Sequence, residues 1–423
     1  MNALILMTAV SIGQPAPPTN LPAIPTPGAV AQPMPPAGEM PPANGNGEKA
    51  PEPEPEKPEP YALMRLLSTT QFGQRMVENG WSVSGWVEGN YTLGTARRSN
   101  LPVTFNDRTD FWQMNQNFLR IDKAIDTGKN EFQLGGRAEL ILPGTDSRFT
   151  IARGLFDQQL RNGANGGARK YPVDLYQAYG EAFFPDLGPK GTTVRVGKFA
   201  THVGYELVQA AETPFLQRSY LFQYNPFTHT GAWAITPLND TWTVSNGLVV
   251  GSDNFIDSAS RLTYIGQLKW APKDGKTNAL FNVVVTDPRF DVAEAFPFYN
   301  VYNLVLTHNF NDKLTYVLDT TFSHIDGVPN VGSATWYGAA QYLSYKHTDT
   351  VTSTARVELF EDTKGFRTGA RGLYTEVTYG VSWAPKPGLI FRPTVRYDHN
   401  NTSRPFEGKP DLFTAAFDMI LRY

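Results

Sequence analysis

Residues 412–423 read LFTAAFDMILRY, and their polarity alternates with a period of two. One face is apolar and consists of Phe413, Ala415, Phe417, Met419, Leu421 and Tyr423. The other face consists of Thr414, Ala416, Asp418 and Arg422, with Ile420 as the exception. Such alternation is typical of a β-strand that has an apolar environment on one side and a polar environment on the other.

The same alternation recurs from Trp81 onward, beginning with WSVSGWVEGNYTL at residues 81–93, where Trp86 breaks the pattern. We count about sixteen such segments, most of them near the 9–11 residues of a tilted membrane strand, and a range of about 12 to 18 strands fits the pattern. The sequence therefore predicts an all-β fold, a transmembrane antiparallel up-and-down β-barrel.

The connections between these segments alternate between short and long. Short turns include 126–130, 237–240 and 385–388. The long connections lie at 94–115, 143–174, 200–229, 251–261, 287–297, 325–334, 361–372 and 399–411. Short turns on one side and long loops on the other are typical of bacterial outer-membrane barrels. A soluble sandwich has no reason to sort its loops in this way.

The polar faces of the strands carry charges of both signs, and aromatic residues gather near the strand ends. In a wide barrel the apolar face meets lipid, the charged face lines a water-filled lumen, and aromatic girdles mark the two interfaces. The predicted pore-lining charges are Arg120, Arg137, Glu139, Glu181, Arg195, Arg356, Glu358, Glu376, Arg392, Arg396, Asp398, Asp418 and Arg422.

The composition excludes several classes of protein. The 423 residues include no cysteine, so neither a disulfide framework nor a thiolate metal site is possible. The 37 basic and 40 acidic residues nearly balance, which argues against a nucleic-acid partner. Past the first residues, no apolar run approaches the roughly 20 residues of a spanning helix.

No catalytic, cofactor or metal site is expected. The six histidines are scattered, and neither a glycine-rich phosphate loop nor a nucleophile elbow is present. Asp253, Asn254 and Asp257 are hard oxygen ligands of the kind that calcium prefers. An ordinary Asp/Asn-rich turn explains them better.

The chain before the barrel divides into three predicted segments. Residues 1–13 resemble an export signal, although no basic residue precedes the apolar stretch. Residues 14–60 are rich in proline and glutamate and predict a disordered periplasmic spacer. Residues 61–79 predict a short amphipathic helix, and residues 80–423 predict the barrel.

The end of the chain resembles the C-terminal sorting signal of outer-membrane proteins, in which an aromatic last residue is recognised by the assembly machinery. Here that signal would consist of Phe417, Met419, Leu421 and Tyr423.

Four longer segments resemble the β-barrel porin-2 (OmpL-like) family of outer-membrane proteins. They are GGRAELILPGTDSRFT at 135–150, VRVGKFATHVGYE at 194–206, SYLFQYNPFTHTGAWA at 219–234 and LNDTWTVSNGLVVGSDNF at 238–255. The resemblance spans roughly residues 81–423, and it implies an outer-membrane pore without catalytic residues. Pro143 departs from the aromatic residue expected before Gly-Thr-Asp.

The connection 200–229 is the third outer loop, which in general porins of sixteen strands folds inward and narrows the pore. We expect it to face basic residues of the wall through the candidate residues Tyr205, Glu206, Glu212, Arg218, Tyr220 and Tyr224. Opposed charges across a constriction orient polar solutes and give mild ion preference. An external lid, or a loop packed on a neighbouring subunit, is the alternative.

The sequence thus predicts a bacterial outer-membrane porin for passive diffusion of small polar solutes and ions. The expected partners are outer-membrane lipid, these solutes and the assembly machinery, and a homo-oligomer is compatible with the pattern. The alternatives are a substrate-specific transporter, a barrel enzyme, or a secreted soluble all-β binding protein. Among lumenal aromatic residues, only Trp86 and Tyr179 suggest an aromatic track for sugars.

Overall fold

The computed structural model describes residues 61–161, 167–256, 262–286, 299–328 and 331–423. Two short helices, α1 (Ala62–Ser68) and α2 (Gln71–Glu78), precede sixteen strands. The strands are β1 (Trp81–Gly94), β2 (Phe111–Lys123), β3 (Gln133–Ile141), β4 (Asp174–Phe184), β5 (Thr192–Ala200), β6 (Thr228–Pro237), β7 (Trp242–Ser252), β8 (Thr263–Trp270), β9 (Thr277–Thr286), β10 (Tyr299–Asn309), β11 (Leu314–Val328), β12 (Gly332–Lys346), β13 (Val351–Asp362), β14 (Gly372–Lys386), β15 (Leu389–Asn400) and β16 (Asp411–Arg422).

The sheet closes on itself. Every strand pairs antiparallel with its neighbours in sequence, and β1 pairs with β16. At this seam the Gly85 N–H donates to the Tyr423 carbonyl oxygen at 3.1 Å, and the Tyr423 N–H donates to the Gly85 carbonyl oxygen at 2.9 Å. A closed barrel leaves no unpaired strand edge in the bilayer, where an unpaired backbone group costs several kcal/mol. The prediction of a sixteen-stranded antiparallel barrel is confirmed.

The two faces of the strands separate as the alternation predicts. On β16, the outward-facing Phe417, Met419 and Leu421 are exposed, while the inward-facing Asp418 and Ile420 are fully buried. Trp86, the exception in the first segment, faces inward and stacks on Phe118 with ring centroids 4.1 Å apart. The apolar faces therefore form the lipid-contacting surface, and the polar faces surround the lumen.

One predicted long loop is shorter than expected. Residues 325–334 belong mostly to strands, because β11 continues to Val328 and β12 begins at Gly332. Ile325 pairs with Ala334 in this extension, and both side chains are buried inside the barrel. Burial of these apolar side chains stabilises the longer hairpin.

The segment before the barrel contains two helices where one was predicted. The hydroxyls of Thr69 and Thr70 donate to the carbonyl oxygens of Leu66 and Leu67, and the Thr70 oxygen also accepts from the Gly73 N–H. These bonds end one helix and begin the next.

Residues 1–60, with the predicted signal and spacer, lie outside the described residues. No helix in the described part of the chain is long and apolar enough to cross a membrane.

The first helix contacts the barrel. Met64 is buried, and its sulfur accepts a hydrogen bond from the Val83 N–H at 3.4 Å. The α1 helix therefore lies against the beginning of β1, at the end of the barrel that carries the short turns.

Charge tolerance is expected to differ between adjacent residues of β8. Leu268 faces outward and pairs with Phe281 in the middle of β9. Gln267 faces inward, and its side chain donates to Asn282 at 2.8 Å. We expect Leu268→Lys to destabilise the barrel by about 2–4 kcal/mol, because it places a charge in hydrocarbon. Gln267→Lys should change stability by no more than about 0.5 kcal/mol. Urea unfolding in lipid vesicles measures both, and equal destabilisation would contradict this register.

Candidate pore and its inner loop

The segment between β5 and β6, residues 201–227, lies inside the barrel, and we call it L3. It contains a single 3-10 turn (Ala210–Glu212) and the short helix α3 (Tyr220–Tyr224), and most of its residues are buried. Near its start, the Gly204 N–H donates to Asn303 on β10 at 3.0 Å and the Tyr205 N–H donates to Asp319 on β11 at 2.9 Å. Gly204 has a φ of +90°, which favours glycine at this bend.

Arginines of the opposite wall bind the backbone of L3. Arg392 on β15 donates from Nη1 to the carbonyl oxygens of Ala210 (2.9 Å) and Thr213 (2.7 Å). Arg396 donates to the Arg218 carbonyl oxygen at 2.5 Å. Arg422 on β16 donates to the Ala211 carbonyl oxygen. A loop inside a barrel lacks a strand partner, so its carbonyl groups need such donors.

The acidic residues of L3 also contact wall arginines. Glu206 lies 2.5 Å from Arg356 on β13, and Glu212 lies 2.6 Å from Arg120 on β2. Tyr342 donates to Glu206 at 3.1 Å. The sequence placed these opposite charges across an open constriction, whereas the structure has them in direct contact. L3 spans the lumen, because it bonds to β10 and β11 as well as to β13, β15, β16 and β2.

The predicted pore-lining residues all face the lumen, and they divide into two groups. The first group is covered by L3 or by neighbouring side chains and consists of Glu139, Arg356, Glu358, Glu376, Arg392, Arg396, Asp398 and Asp418. The second group is partly exposed and consists of Arg120, Arg137, Glu181, Arg195 and Arg422. The pattern of alternation predicts the direction of a side chain, but it cannot show which lumenal side chains a loop will cover.

Ion pairs stabilise the charged wall, most of them between neighbouring strands. Arg392 lies 2.5 Å from Asp418 and 3.1 Å from Glu88. Arg356 lies 2.9 Å from Glu376. Further pairs with distances of 2.7, 2.7 and 3.0 Å are Arg396–Asp398, Arg137–Asp122 and Arg195–Glu181. Pairing is required here, because a buried charge without a partner is strongly destabilising.

The sequence predicted Glu358 and Tyr220 as lumenal residues, but it missed Phe360 and Tyr374, which also hold L3. Glu358 accepts hydrogen bonds from the N–H groups of Tyr220 and Leu221, both at 2.7 Å. The Tyr220 ring packs on Phe360 and Tyr374, with centroids 5.6 and 4.9 Å away. Phe360 and Tyr374 occupy lumen-facing positions of the alternation. The alternation therefore predicts the direction of their side chains, but it does not predict that they contact Tyr220.

His202 and Tyr205, near the start of L3, are uncharged at neutral pH. Burial lowers the pKa of His202 to about 3, and its ring lies 5.0 Å from that of Trp233. Burial, together with the nearby Glu206 carboxylate, raises the pKa of Tyr205 to about 12. Neutral groups avoid the cost of burying an unpaired charge at this end of the loop.

The last residues of L3 are held by Asp253, which follows β7. One of its carboxylate oxygens accepts from the N–H groups of Phe227 and Thr228, both at 2.8 Å. Asp257, the third oxygen donor considered for calcium, lies outside the described residues. Within the described part of the chain, no group of three or more His, Asp or Glu side chains is arranged to hold a metal ion.

Two other outer connections lie above L3. In the connection between β1 and β2, the Phe105 ring stacks on Phe149 (centroids 5.1 Å apart) and packs at an angle against Phe222 (5.3 Å). Asp107 pairs with Arg148 at 2.7 Å, and both side chains are buried. These contacts close the outer side of L3 with an aromatic cluster.

A closed sixteen-stranded barrel with an apolar exterior, a charged lumen and an inner third loop defines the porin class of outer-membrane protein. The family described as "Putative beta-barrel porin-2, OmpL-like" matches residues 80–423. The chain belongs to this family. It is an outer-membrane channel for passive diffusion, as the sequence predicted.

Solved structures share the fold at low sequence identity. The anion-selective porin from Comamonas acidovorans is 11% identical, covers 81% of this chain and 99% of its own, and superimposes with a TM-score of 0.55. OprB of Pseudomonas putida is 12% identical over 84% and 97% of the two chains, with a TM-score of 0.54. The outer membrane channel DcaP of Acinetobacter baumannii is 10% identical over 81% and 97%, with a TM-score of 0.51.

No curated protein matches the chain significantly. Family and fold together point to a channel rather than an enzyme.

Proposed function

We propose that L3 is the constriction of this channel and that it limits passage to small polar solutes and ions. The observation that carries this proposal is the set of bonds from L3 to opposite walls, to Asn303 and Asp319 on one side and to Arg392 and Arg422 on the other. A solute crossing the barrel must pass this segment.

The periplasmic half of the lumen leads to L3 and has two unlike walls. Between β2 and β5 the wall carries the partly exposed pairs Arg137–Asp122 and Arg195–Glu181. Across the lumen, inward-facing residues such as Thr307 and Thr315 are uncharged. Because the charges on the first wall are paired, we propose a mild ion preference rather than strong selection.

Removing the exposed acidic group of L3 should lower cation preference. The Glu212 side chain is 28% exposed, whereas that of Glu206 is 1% exposed. We expect Glu212→Gln to reduce the potassium-to-chloride permeability ratio by roughly two- to threefold, because the low-dielectric wall focuses the field of each charge near the constriction. Glu206→Gln should have a smaller effect, and Glu131→Gln in an exposed turn should have none.

Reversal potentials in planar bilayers measure these ratios. If Glu131→Gln and Glu212→Gln changed the ratio equally, Glu212 would not lie at the constriction.

Removing the body of L3 should raise conductance. Replacing residues 209–223 by a short Gly–Ser link eliminates the 3-10 turn and most of α3, which occupy the lumen. An external lid, or a loop packed on a neighbouring subunit, would leave open-channel conductance nearly unchanged. Paired single-channel recordings of wild type and deletion distinguish these placements. The matched control replaces the exposed residues 127–130 in the same way and should conduct like the wild type.

We also propose that the last strand is the signal for the outer-membrane assembly machinery. The exposed Phe417, Met419 and Leu421 share its outward face, and Tyr423 lies at the seam with β1. The Tyr423 hydroxyl donates to the Phe118 carbonyl oxygen at 3.0 Å. A homo-oligomer is part of the proposal too, and OmpT of Vibrio cholerae, which shares the fold, has a structure described as a trimer form.

Deleting Tyr423, or substituting Leu421→Asp, should reduce the amount of folded barrel in the outer membrane. The first change removes the seam contacts, and the second places a charge at the lipid-facing interface. Heat-modifiable mobility of outer-membrane fractions measures the folded protein. Substituting Arg371→Gln in an exposed outer connection serves as the control. Wild-type amounts after both changes at the last strand would exclude this role.

A further inference from the structure

Arg422 occupies the periplasmic end of β16 and contacts both L3 and the segment before the barrel. Its Nη2 donates to the Ala211 carbonyl oxygen of L3, and its Nη1 donates to the Tyr61 hydroxyl oxygen at 2.9 Å. The Tyr61 ring centroid lies 5.7 Å from the guanidinium carbon. Unlike the arginines deeper in the lumen, Arg422 is partly exposed.

Arg422 differs in its partners from most of the other arginines that hold L3. Four of these pair with carboxylates at distances of 2.5 to 2.7 Å, namely Arg120–Glu139, Arg356–Glu206, Arg392–Asp418 and Arg396–Asp398. Arg367, which donates to the Tyr224 carbonyl oxygen at 3.2 Å, also forms no ion pair with a described residue, but unlike Arg422 it is buried. Among the described residues, no carboxylate lies within ion-pairing distance of Arg422. Both of its hydrogen-bond acceptors are neutral oxygens.

One donor of Arg422 has no acceptor. Its Nε is buried and makes no hydrogen bond to any described residue. Nε and Nη2 form one edge of the planar guanidinium, and that edge matches two oxygens of a carboxylate or phosphate group. At present one half of the edge binds a neutral carbonyl and the other half binds nothing, which is costly for a buried N–H group.

From this geometry we propose that Arg422, oriented by Tyr61, forms a binding site for a small oxyanion, a soluble carboxylate or phosphate, at the periplasmic side of L3. The two oxygens of the anion bind Nε and Nη2, and the anion takes the place of the Ala211 carbonyl. The Tyr61 hydroxyl accepts from Nη1 on the opposite side of the guanidinium, and this bond orients the Nε–Nη2 edge. A charged acceptor binds a guanidinium about twice as strongly as a neutral one.

The site would connect anion binding to the constriction. Once the anion occupies Nη2, the Ala211 carbonyl loses its donor, whereas Arg392 still binds Ala210 and Thr213. Within the 3-10 turn, only the Ala211 carbonyl is therefore released, since Arg392 still binds Ala210 and Arg120 still binds Glu212. This consequence rests on the proposed placement of L3 in the conduction path, but the binding site itself does not.

Isothermal titration of the purified full-length barrel in detergent tests the site, with sodium phosphate and sodium succinate as separate probes and sodium chloride as the reference. We expect saturable binding of one or both oxyanions to the wild type. Arg422→Gln should weaken that binding by about tenfold or more, since it removes charge-assisted hydrogen bonds. Arg422→Lys keeps the charge but loses the planar edge. Its affinity for the oxyanions should therefore lie between that of the wild type and that of Arg422→Gln.

Arg195→Gln is the matched control, because Arg195 is also a partly exposed lumenal arginine but pairs with Glu181. It should bind the oxyanions as the wild type does. Heat-modifiable mobility verifies that each variant is folded. Undetectable oxyanion binding to the wild type would overturn the proposal, as would chloride binding of similar strength or equal weakening by Arg195→Gln.

The titration requires no conductance, so its result is independent of the function proposed for L3. If phosphate or succinate bound as expected while deletion of residues 209–223 left conductance unchanged, the results would support the oxyanion site and contradict the placement of L3 at the constriction. If deletion raised conductance but neither oxyanion bound, the results would support the constriction and contradict the oxyanion site.

Discussion

The bonds between wall arginines and L3 are the interaction on which the interior of this barrel depends. The carbonyl groups of a loop that enters a barrel lose their hydrogen bonds to water, and no neighbouring strand supplies N–H donors in their place. Arginine meets this need, because its five N–H donors serve a wall carboxylate and a loop carbonyl together. Arg392 does so, as it binds Asp418 and Glu88 on the wall and Ala210 and Thr213 on L3. The wall carboxylates compensate the arginine charge, and the arginines position the loop.

The exterior obeys a simpler requirement. In hydrocarbon every backbone N–H and carbonyl must be paired, which demands closure between β1 and β16. Beyond closure, lipid requires only that alternate side chains be apolar. This weak requirement explains how barrels that are 11–12% identical to this chain, such as the Comamonas acidovorans porin and Pseudomonas putida OprB, share its fold. The lumen is where such proteins differ, because side chains there contact solutes and inner loops.

The interior is also asymmetric. Arginine and carboxylate side chains concentrate on the wall from β13 through β16 and onward from β1 to β5, whereas β6 to β12 carry mostly neutral inward-facing residues. L3 bonds to the neutral wall through Asn303 and Asp319 and to the charged wall through arginines. Among the arginines of β13 to β16 that contact L3, Arg422 alone forms no ion pair in the described part of the chain.

The sequence by itself determined the strands, their faces and the sorting of loops, because each of these depends on residues close together in the chain. The alternation at 412–423 predicted which side chains of β16 meet lipid, and the charges at Arg356 and Glu358 predicted which face borders the lumen. Only the tertiary structure decided which residues the lumenal side chains contact. Arg392 meets Ala210, and Tyr220 meets Phe360, across separations in sequence that no local pattern encodes. Strand register and the path of L3 bring these residues together, and both arise from packing of the whole barrel.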